Sequence, residues 1–80
     1  TLRSMPDFPE VPQERVARAL TRLGFTVDKT KGKGGHYKVY GPSGAFTILP
    51  SHLRTKGTRS SIARFVIAEG VNLETFKAEL

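Results

Sequence analysis

The sequence contains no cysteine and no tryptophan, and no long apolar run occurs among its 80 residues. Without cysteine the chain cannot form a disulfide, and two histidines offer too few ligands for a structural zinc ion. A membrane-spanning helix needs roughly 20 apolar residues, and a secretory signal needs an apolar core, so the sequence predicts neither. We therefore expect one small cytoplasmic domain that contacts no membrane and uses no metal ion, cofactor or other small molecule.

Acidic residues are missing from half of the chain. Residues 29–68 contain eight lysines and arginines and no aspartate or glutamate. The whole chain has 13 Lys and Arg against 7 Asp and Glu, a formal net charge of +6. An excess of this kind is typical of proteins that bind polyanions, most often nucleic acid. Solubility alone would not require a window free of acids, so we favour a binding surface over a merely solvated one.

Prolines recur at every third position near the N-terminus: Pro6, Pro9 and Pro12. This spacing predicts an extended arm over residues 1–12 rather than a helix. The arm is either loose or lies on the domain through Phe8 and Val11. Residues 1–4 precede Met5, as a remnant of cloning would.

Residues 13–80 predict a single α+β domain. Apolar residues at helical spacing indicate a helix over residues 13–23. Thr58 is placed to cap a second helix over residues 59–69, and Asn72 to cap a short last one. Three antiparallel strands are predicted between the first two helices, over residues 25–30, 36–40 and 45–49.

The turn at residues 41–44 suggests how the last two strands pair. If Tyr40 lies opposite Ala45, two sets of side chains face opposite ways. The core face then holds Tyr37, Val39, Phe46 and Ile48. The open face then holds His36, Lys38, Tyr40 and Thr47. A shift by one residue would bury His36 instead.

The same topology gathers polar residues at one end of the sheet. The loop at residues 31–35, both histidines and the start of the second helix all fall there. Glycines let a nucleic-acid backbone approach closely, and a helix N-terminus suits a phosphate. The candidate phosphate-binding residues are Lys31, Lys33, Gly34, Gly35, Lys38, His52, Lys56 and Thr58.

The residue types restrict the chemistry. The sequence offers no Ser-His-Asp or Cys-His set, no carboxylate cluster for divalent metals and no P-loop. Metal-free RNA cleavage remains, in which the 2′-OH attacks the neighbouring phosphate. Histidine, with an ordinary pKa of about 6.5, suits the proton transfers, and lysine suits the charge on phosphorus. His36 is the candidate catalytic residue, against the alternative of an ordinary surface histidine, and the role of His52 stays open.

Several short motifs resemble those of the HicA family of toxins, which are small mRNA interferases of toxin–antitoxin pairs. The resemblance spans residues 16–80 and comprises LTRLGF at 20–25, KGGH at 33–36, PSH at 50–52, KGT at 56–58 and EGVNLETF at 69–76. It implies an α-β-β-β-α fold similar to a double-stranded-RNA-binding domain, with a short extra C-terminal helix. The family's catalytic histidine maps onto His36, with Gly35 where serine is common, and its Pro-x-His element maps onto His52. The arm lies outside the pattern.

The resemblance implies the toxin of a type II pair, an endoribonuclease that cleaves mRNA and is held inactive by a HicB-like antitoxin. Two alternatives from other classes remain open. One is a non-catalytic module that binds double-stranded RNA through the KGTR segment at residues 56–59. The other is a pure interaction protein whose basic face meets an acidic partner.

Overall fold

The computed structural model describes residues 6–30 and 34–80. Its elements follow the predicted order of one helix, three strands and two helices. They are α1 (Gln13–Arg22), β1 (Thr26–Asp28), β2 (Tyr37–Tyr40), β3 (Phe46–Leu49), α2 (Lys56–Ala68) and α3 (Leu73–Ala78). The strands form one antiparallel sheet in the order β1-β2-β3. No helix in the described ranges is long and apolar enough to cross a membrane. The coarse α+β prediction is therefore confirmed.

Helix α1 forms because its apolar residues share one face. Val16, Ala19 and Leu20 are completely buried, whereas the intervening arginines are exposed. Pro12 precedes the helix in an extended conformation and accepts its first backbone hydrogen bond, from Arg15 N. Gly24, with a φ of 95°, lies just beyond the helix end, in the left-handed conformation that glycine adopts without strain.

The turn at residues 41–44 forms as predicted, but the strands that it joins pair differently from the prediction. Gly44 N donates to Gly41 O at 3.0 Å, and Gly41 N donates to Ala45 O at 2.8 Å. The chain thus reverses through a three-residue loop that ends at Gly44, whose φ is 95°. Gly41, rather than Tyr40, lies opposite Ala45.

The predicted register is consequently wrong by one residue. Tyr40 pairs with Phe46, and Val39 pairs with Thr47. Phe46 and Ile48, expected in the core, lie on the open face with 56% and 43% of their surface exposed. Leu49 and the half-buried Thr47 take the core side beside Val39. The directions predicted for the β2 residues Tyr37, Val39, Lys38 and Tyr40 agree with this pairing.

Helix α2 begins earlier than predicted. It starts at Lys56, with Thr55 as the preceding extended residue, so Thr58 lies inside the first turn and does not cap the helix. Thr55 O accepts from Arg59 N at 3.1 Å, which closes a turn that includes Gly57. Glycine is tolerated there because the first helical turn makes few intrahelical bonds of its own. Ile62, Ala63 and Val66 of α2 are buried.

Helix α3 is capped as the sequence predicts. The Asn72 side chain accepts a hydrogen bond from Glu74 N at 2.8 Å. The side chain of Phe76 is fully buried and packs this short helix against the core. Apolar residues from α1, α2, α3 and the inner face of the sheet thus form one cluster.

The arm lies on the domain. Phe8 is 3% exposed and packs edge-on against Phe76, with ring centroids 5.2 Å apart. Asp7 Oδ1 accepts from Arg59 Nε at 2.8 Å, and Arg59 Nη1 also donates to the carbonyls of Leu53 and Arg54. Of the two alternatives for residues 6–12, the packed one is therefore confirmed. Residues 1–4 lie outside the described part of the chain.

Stability should fall at acid pH because of the Asp7–Arg59 pair. The hydrogen bond from Arg59 holds the pKa of Asp7 below its ordinary value of 3.8. A carboxyl group whose pKa is lowered by folding stabilises the protein above its unfolded value, and this contribution is lost as pH falls through the folded value. Between about pH 6 and about pH 2, the free energy of unfolding measured in urea should fall more steeply for the wild type than for Asp7→Asn. Glu74→Gln, which removes the exposed Glu74–Lys77 pair, is the control. If the free energy of unfolding falls equally with pH in the wild type and in Asp7→Asn, the Asp7–Arg59 pair is not the cause of the acid sensitivity.

A side chain at Gly41 should displace the carboxylate of Glu69. A Cβ there would overlap the carboxylate of Glu69, which accepts hydrogen bonds from Ser43 N at 2.9 Å and Ser43 Oγ at 2.7 Å. The Glu69 side chain can move away from this Cβ, so we expect Gly41→Ala to lower the free energy of unfolding by about 1 kcal/mol, through loss of these two hydrogen bonds. Gly57→Ala is the matched control, since its Cβ would meet only Thr55 Cγ2 at 3.9 Å. The loss should shrink in a Glu69→Ala background, and an equal loss there would refute the overlap as its cause.

Candidate functional site

His36 lies in the segment between the Gly34–Gly35 turn and β2. It precedes the strand rather than opening it, and its side chain is half-buried. In the described part of the chain, two buried side-chain polar atoms lack a hydrogen-bond partner, His36 Nδ1 and Ser60 Oγ. Of the two imidazole nitrogens of His36, only Nδ1 is both buried and unpaired. The ring is thus neither fully exposed on the sheet nor fully enclosed in the core.

The Gly34–Gly35 turn lies close to the loop that follows β3. Gly34 and Gly35 have φ angles of 62° and 82°, which L side chains rarely adopt. A Cβ on Gly35 would lie 3.5 Å from Ser51 Cβ, so the two loops approach each other closely. The predicted meeting of the KGGH and PSH segments is therefore observed for the residues that the structure describes. Lys31 and Lys33 lie outside those residues.

The first turn of α1 holds these two loops together. Gln13 Nε2 donates to Gly35 O at 2.7 Å and to Leu49 O at 3.2 Å. Its amide therefore links the residue before His36 to the last residue of β3. Sequence analysis missed Gln13, because a glutamine at a helix start gives no signal of a partner 22 or 36 positions away.

A second link from α1 reaches the residue after His36. Tyr37 donates its hydroxyl hydrogen to Glu14 Oε2, and Lys29 Nζ lies 3.0 Å from Glu14 Oε1. The hydrogen bond from Tyr37, and next the one from Lys29, lowers the pKa of Glu14. The same bond raises the pKa of Tyr37. Both neighbours of His36 are therefore attached to the start of α1.

His52 lines a groove beside the arm. The groove has a volume of about 270 Å³ and runs between residues 10–13 and residues 51–54. His52 is exposed there, and Glu10 belongs to the opposite wall. No hydrogen bond joins His52 to His36 within residues 34–80, so the structure brings their loops together without joining their side chains.

The start of α2 borders a separate groove of about 340 Å³. Thr58 and Gly57 line it together with Pro50 and the β3 residue Ile48. Since Pro50 directly precedes Ser51, this groove lies beside the loop that approaches Gly35. Lys56 is exposed in the first turn of the helix. The start of α2 was predicted to lie at this end of the sheet. The shared groove confirms this, because Thr58 of the helix and Pro50 after β3 both line it.

Several cations of the acid-free window are already paired. Arg59 binds Asp7, and Lys29 binds Glu14, in both cases with acids that lie outside the window in sequence. Lys38 Nζ lies 4.1 Å from the centroid of the Phe46 ring on the open face. Three other exposed cations of the window form no ion pair with any described residue: Arg54, Lys56 and Arg64. The positive surface is therefore smaller than the sequence count indicates.

Within the described ranges, no group of three or more His, Cys, Asp or Glu side chains is arranged to hold a metal ion. In the comparisons with known proteins, no family model, no curated protein and no solved structure matches this chain. The resemblance to HicA toxins accordingly stays a prediction.

Loss of the Gln13 amide should loosen the connection between the two loops. We expect Gln13→Ala to lower the free energy of unfolding by about 1 kcal/mol, because two backbone carbonyls lose their shared donor. The Glu side chain in Gln13→Glu has the same shape but cannot donate a hydrogen bond when ionised, so this variant should lose a similar amount of unfolding free energy. Arg15→Ala, on the exposed side of the same turn, serves as the control in urea unfolding. Equal midpoints for the Gln13 and Arg15 variants would contradict this role.

Proposed function

We propose that this chain is the toxin of a type II toxin–antitoxin pair and cleaves RNA without a metal ion. One observation carries the proposal: His36 stands half-buried where the Gly34–Gly35 turn meets the loop of Ser51 and His52. Both its sequence neighbours are anchored to α1 by hydrogen bonds. A histidine held in this way, beside glycines that let a phosphodiester approach, is suited to proton transfer.

In the proposed reaction the RNA supplies its own nucleophile. The ribose 2′-OH loses its proton to a base, and its oxygen attacks the adjacent phosphorus. The bond from phosphorus to the 5′ oxygen breaks, and that oxygen takes up a proton. The products are a 2′,3′-cyclic phosphate and a 5′-hydroxyl end. His36 is assigned to one of the two proton transfers, as general base or general acid.

Cations are needed where negative charge accumulates on phosphorus. We assign this role to Lys31, Lys33 and Lys38, the lysines nearest to His36 in sequence. Lys56 and Thr58, in the first turn of α2, and His52 are assigned to binding the RNA beyond the cleaved bond. Arg59 is excluded from this role, because Asp7 and two backbone carbonyls occupy its guanidinium.

The proposal includes a protein partner and a compartment. A HicB-like antitoxin would hold the toxin inactive in the cytoplasm, where the mRNA substrate is. The fine fold assignment, a similarity to double-stranded-RNA-binding domains, belongs to the same proposal. It is supported by the α-β-β-β-α order and by a sheet that packs its inner face against the helices.

Removal of the imidazole should abolish cleavage and preserve the fold. Loss of a general acid or base typically slows a reaction by about 10²–10⁴-fold, and we expect this for His36→Ala on single-stranded RNA in EDTA. His52→Ala is the comparison at the neighbouring loop, and circular dichroism monitors folding. An oligonucleotide of the same sequence with only deoxyribose should stay intact, because it lacks the nucleophile.

Two outcomes would contradict the enzymatic assignment. If His36→Ala cuts RNA as fast as the wild type, another residue performs the chemistry. If the wild type shifts labelled RNA on a gel without cutting it, the chain is a binding module instead. That second candidate is the RNA-binding domain suggested by residues 56–59.

A further inference from the structure

The outer face of the sheet carries apolar side chains that stay exposed, although Ile48 also borders the groove at the start of α2. Three large hydrophobic residues of the described chain are exposed, and two of them, Phe46 and Ile48, lie on this face. They stand beside Tyr40 and Lys38, their cross-strand partners in β2. We define these four residues, Lys38, Tyr40, Phe46 and Ile48, as the outer sheet patch.

The aromatic rings of the patch lie next to each other. The ring centroids of Tyr40 and Phe46 are 6.2 Å apart, at an interplanar angle of 48°. Phe46 is 56% exposed, so a planar group can reach its ring from solvent. Rings held this way on a rigid strand pair suit stacking against nucleobases, every one of which has a π face.

The patch also contains a cation. Lys38 Nζ lies 4.1 Å from the Phe46 centroid and 5.3 Å from the Tyr40 centroid. An exposed cation–π contact is weak, so a stacking base can displace the ammonium group from the ring. The displaced group remains on the same face, within reach of the phosphate attached to that base.

Two carboxylates on elements that adjoin the patch accept hydrogen bonds within the protein. Asp28 lies opposite Lys38 in the β1–β2 ladder, and its Oδ1 accepts hydrogen bonds from Thr30 N and Thr30 Oγ1. Glu69, beyond the turn at residues 41–44, accepts from Ser43. The hairpin itself contains no acidic residue. Of the four patch residues, Lys38 is charged and none is acidic, so the patch itself carries a positive charge that can meet a phosphate.

We propose that the outer sheet patch binds single-stranded nucleic acid, with bases stacked on Phe46 and Tyr40 and a phosphate paired with Lys38. Among planar ligands, an oligonucleotide combines stacking bases with repeated negative charge, which is the combination the patch accepts. The site adjoins the loops around His36 and shares Lys38 with the proposed active site, but its stacking rings lie outside those loops, and it would exist even if the chain only bound RNA.

The position of β2 gives the patch a role beside the proposed active site. His36, Lys38 and Tyr40 follow one another at two-residue intervals, roughly 6–7 Å apart along an extended chain. That interval is close to the span of one nucleotide. An RNA strand bound along β2 would thus place one nucleotide on the outer sheet patch, immediately beside the nucleotide at His36. Because stacking on the patch needs an unpaired base, the patch would select single-stranded RNA over duplex RNA.

The test uses a ligand that the protein cannot cleave. A labelled single-stranded DNA hexanucleotide lacks the 2′-OH, so its binding to the wild-type protein, measured by fluorescence anisotropy, does not depend on catalysis. We expect Phe46→Ala to weaken the affinity on the order of tenfold, as loss of a stacking ring does. Phe46→Trp should restore or strengthen it. Lys38→Gln should weaken binding and reduce its salt dependence by about one ion.

Ile67→Ala is the matched control, since Ile67 is a comparably exposed apolar residue, at 45%, on α2. It should change the affinity by less than about twofold. Circular dichroism and thermal unfolding establish that each variant is folded, which we expect for so exposed a position as Phe46. If Phe46→Ala and Ile67→Ala bind the hexanucleotide equally well, or if the wild type does not bind it, the proposal is overturned and a protein becomes the occupant to seek. Loss of RNA cleavage in His36→Ala with unchanged DNA binding would separate this site from the proposed active site.

Discussion

The backbone hydrogen bond from Gly41 N to Ala45 O determines which side chains of β3 reach the core. It closes a three-residue loop, and that loop requires a positive φ at its last residue, which Gly44 provides. With this closure Leu49 is buried, and Phe46 and Ile48 face outward. The carboxylate of Glu69 holds the turn from the end of α2, so the helix and the hairpin fix each other. The outer sheet patch and the inner packing surface are two results of one turn.

The start of α1 has a comparable role for the candidate site. Gln13 and Glu14 attach the residues on either side of His36, while Val16 and Leu20 of the same helix are buried in the core. The position of the histidine is therefore set by a helix that the core holds rigidly, although the histidine itself lies outside any strand. Such support from regular elements is what an imidazole needs if it is to meet a phosphodiester in a fixed geometry.

The distribution of charge in the folded protein differs from the distribution along the chain. The acid-free window is broad in sequence, but folding brings Asp7 to Arg59 and Glu14 to Lys29. The first pair fixes the arm on the domain, and the second lies beside Tyr37. Cations that remain exposed and unpaired, such as Arg54 and Lys56, are therefore better candidates for phosphate contacts than the basic residues as a group. The exposed Lys29–Glu14 pair contributes little to stability, so its main effect is that Lys29 is no longer available to a phosphate.

The sequence by itself determined the features that depend on neighbours a few positions apart. The apolar spacing of Val16, Ala19 and Leu20 predicted α1, and Asn72 predicted the cap of α3, because helical packing and capping act over three or four residues. The close approach of the Gly34–Gly35 turn to the loop at Ser51 was also expected, since antiparallel strand order brings those ends together.

Only the tertiary structure decided the facing of Phe46 and Ile48, the pairing of Arg59 and the part played by Gln13. The register depends on whether three or four residues close the hairpin, and the glycines at both ends of the turn are compatible with either. Arg59 and Gln13 meet partners 52 and 36 positions away, respectively, and no local pattern encodes such distances. These features follow from the packing of whole elements against one core, which fixes long-range neighbours only when all the elements are in place.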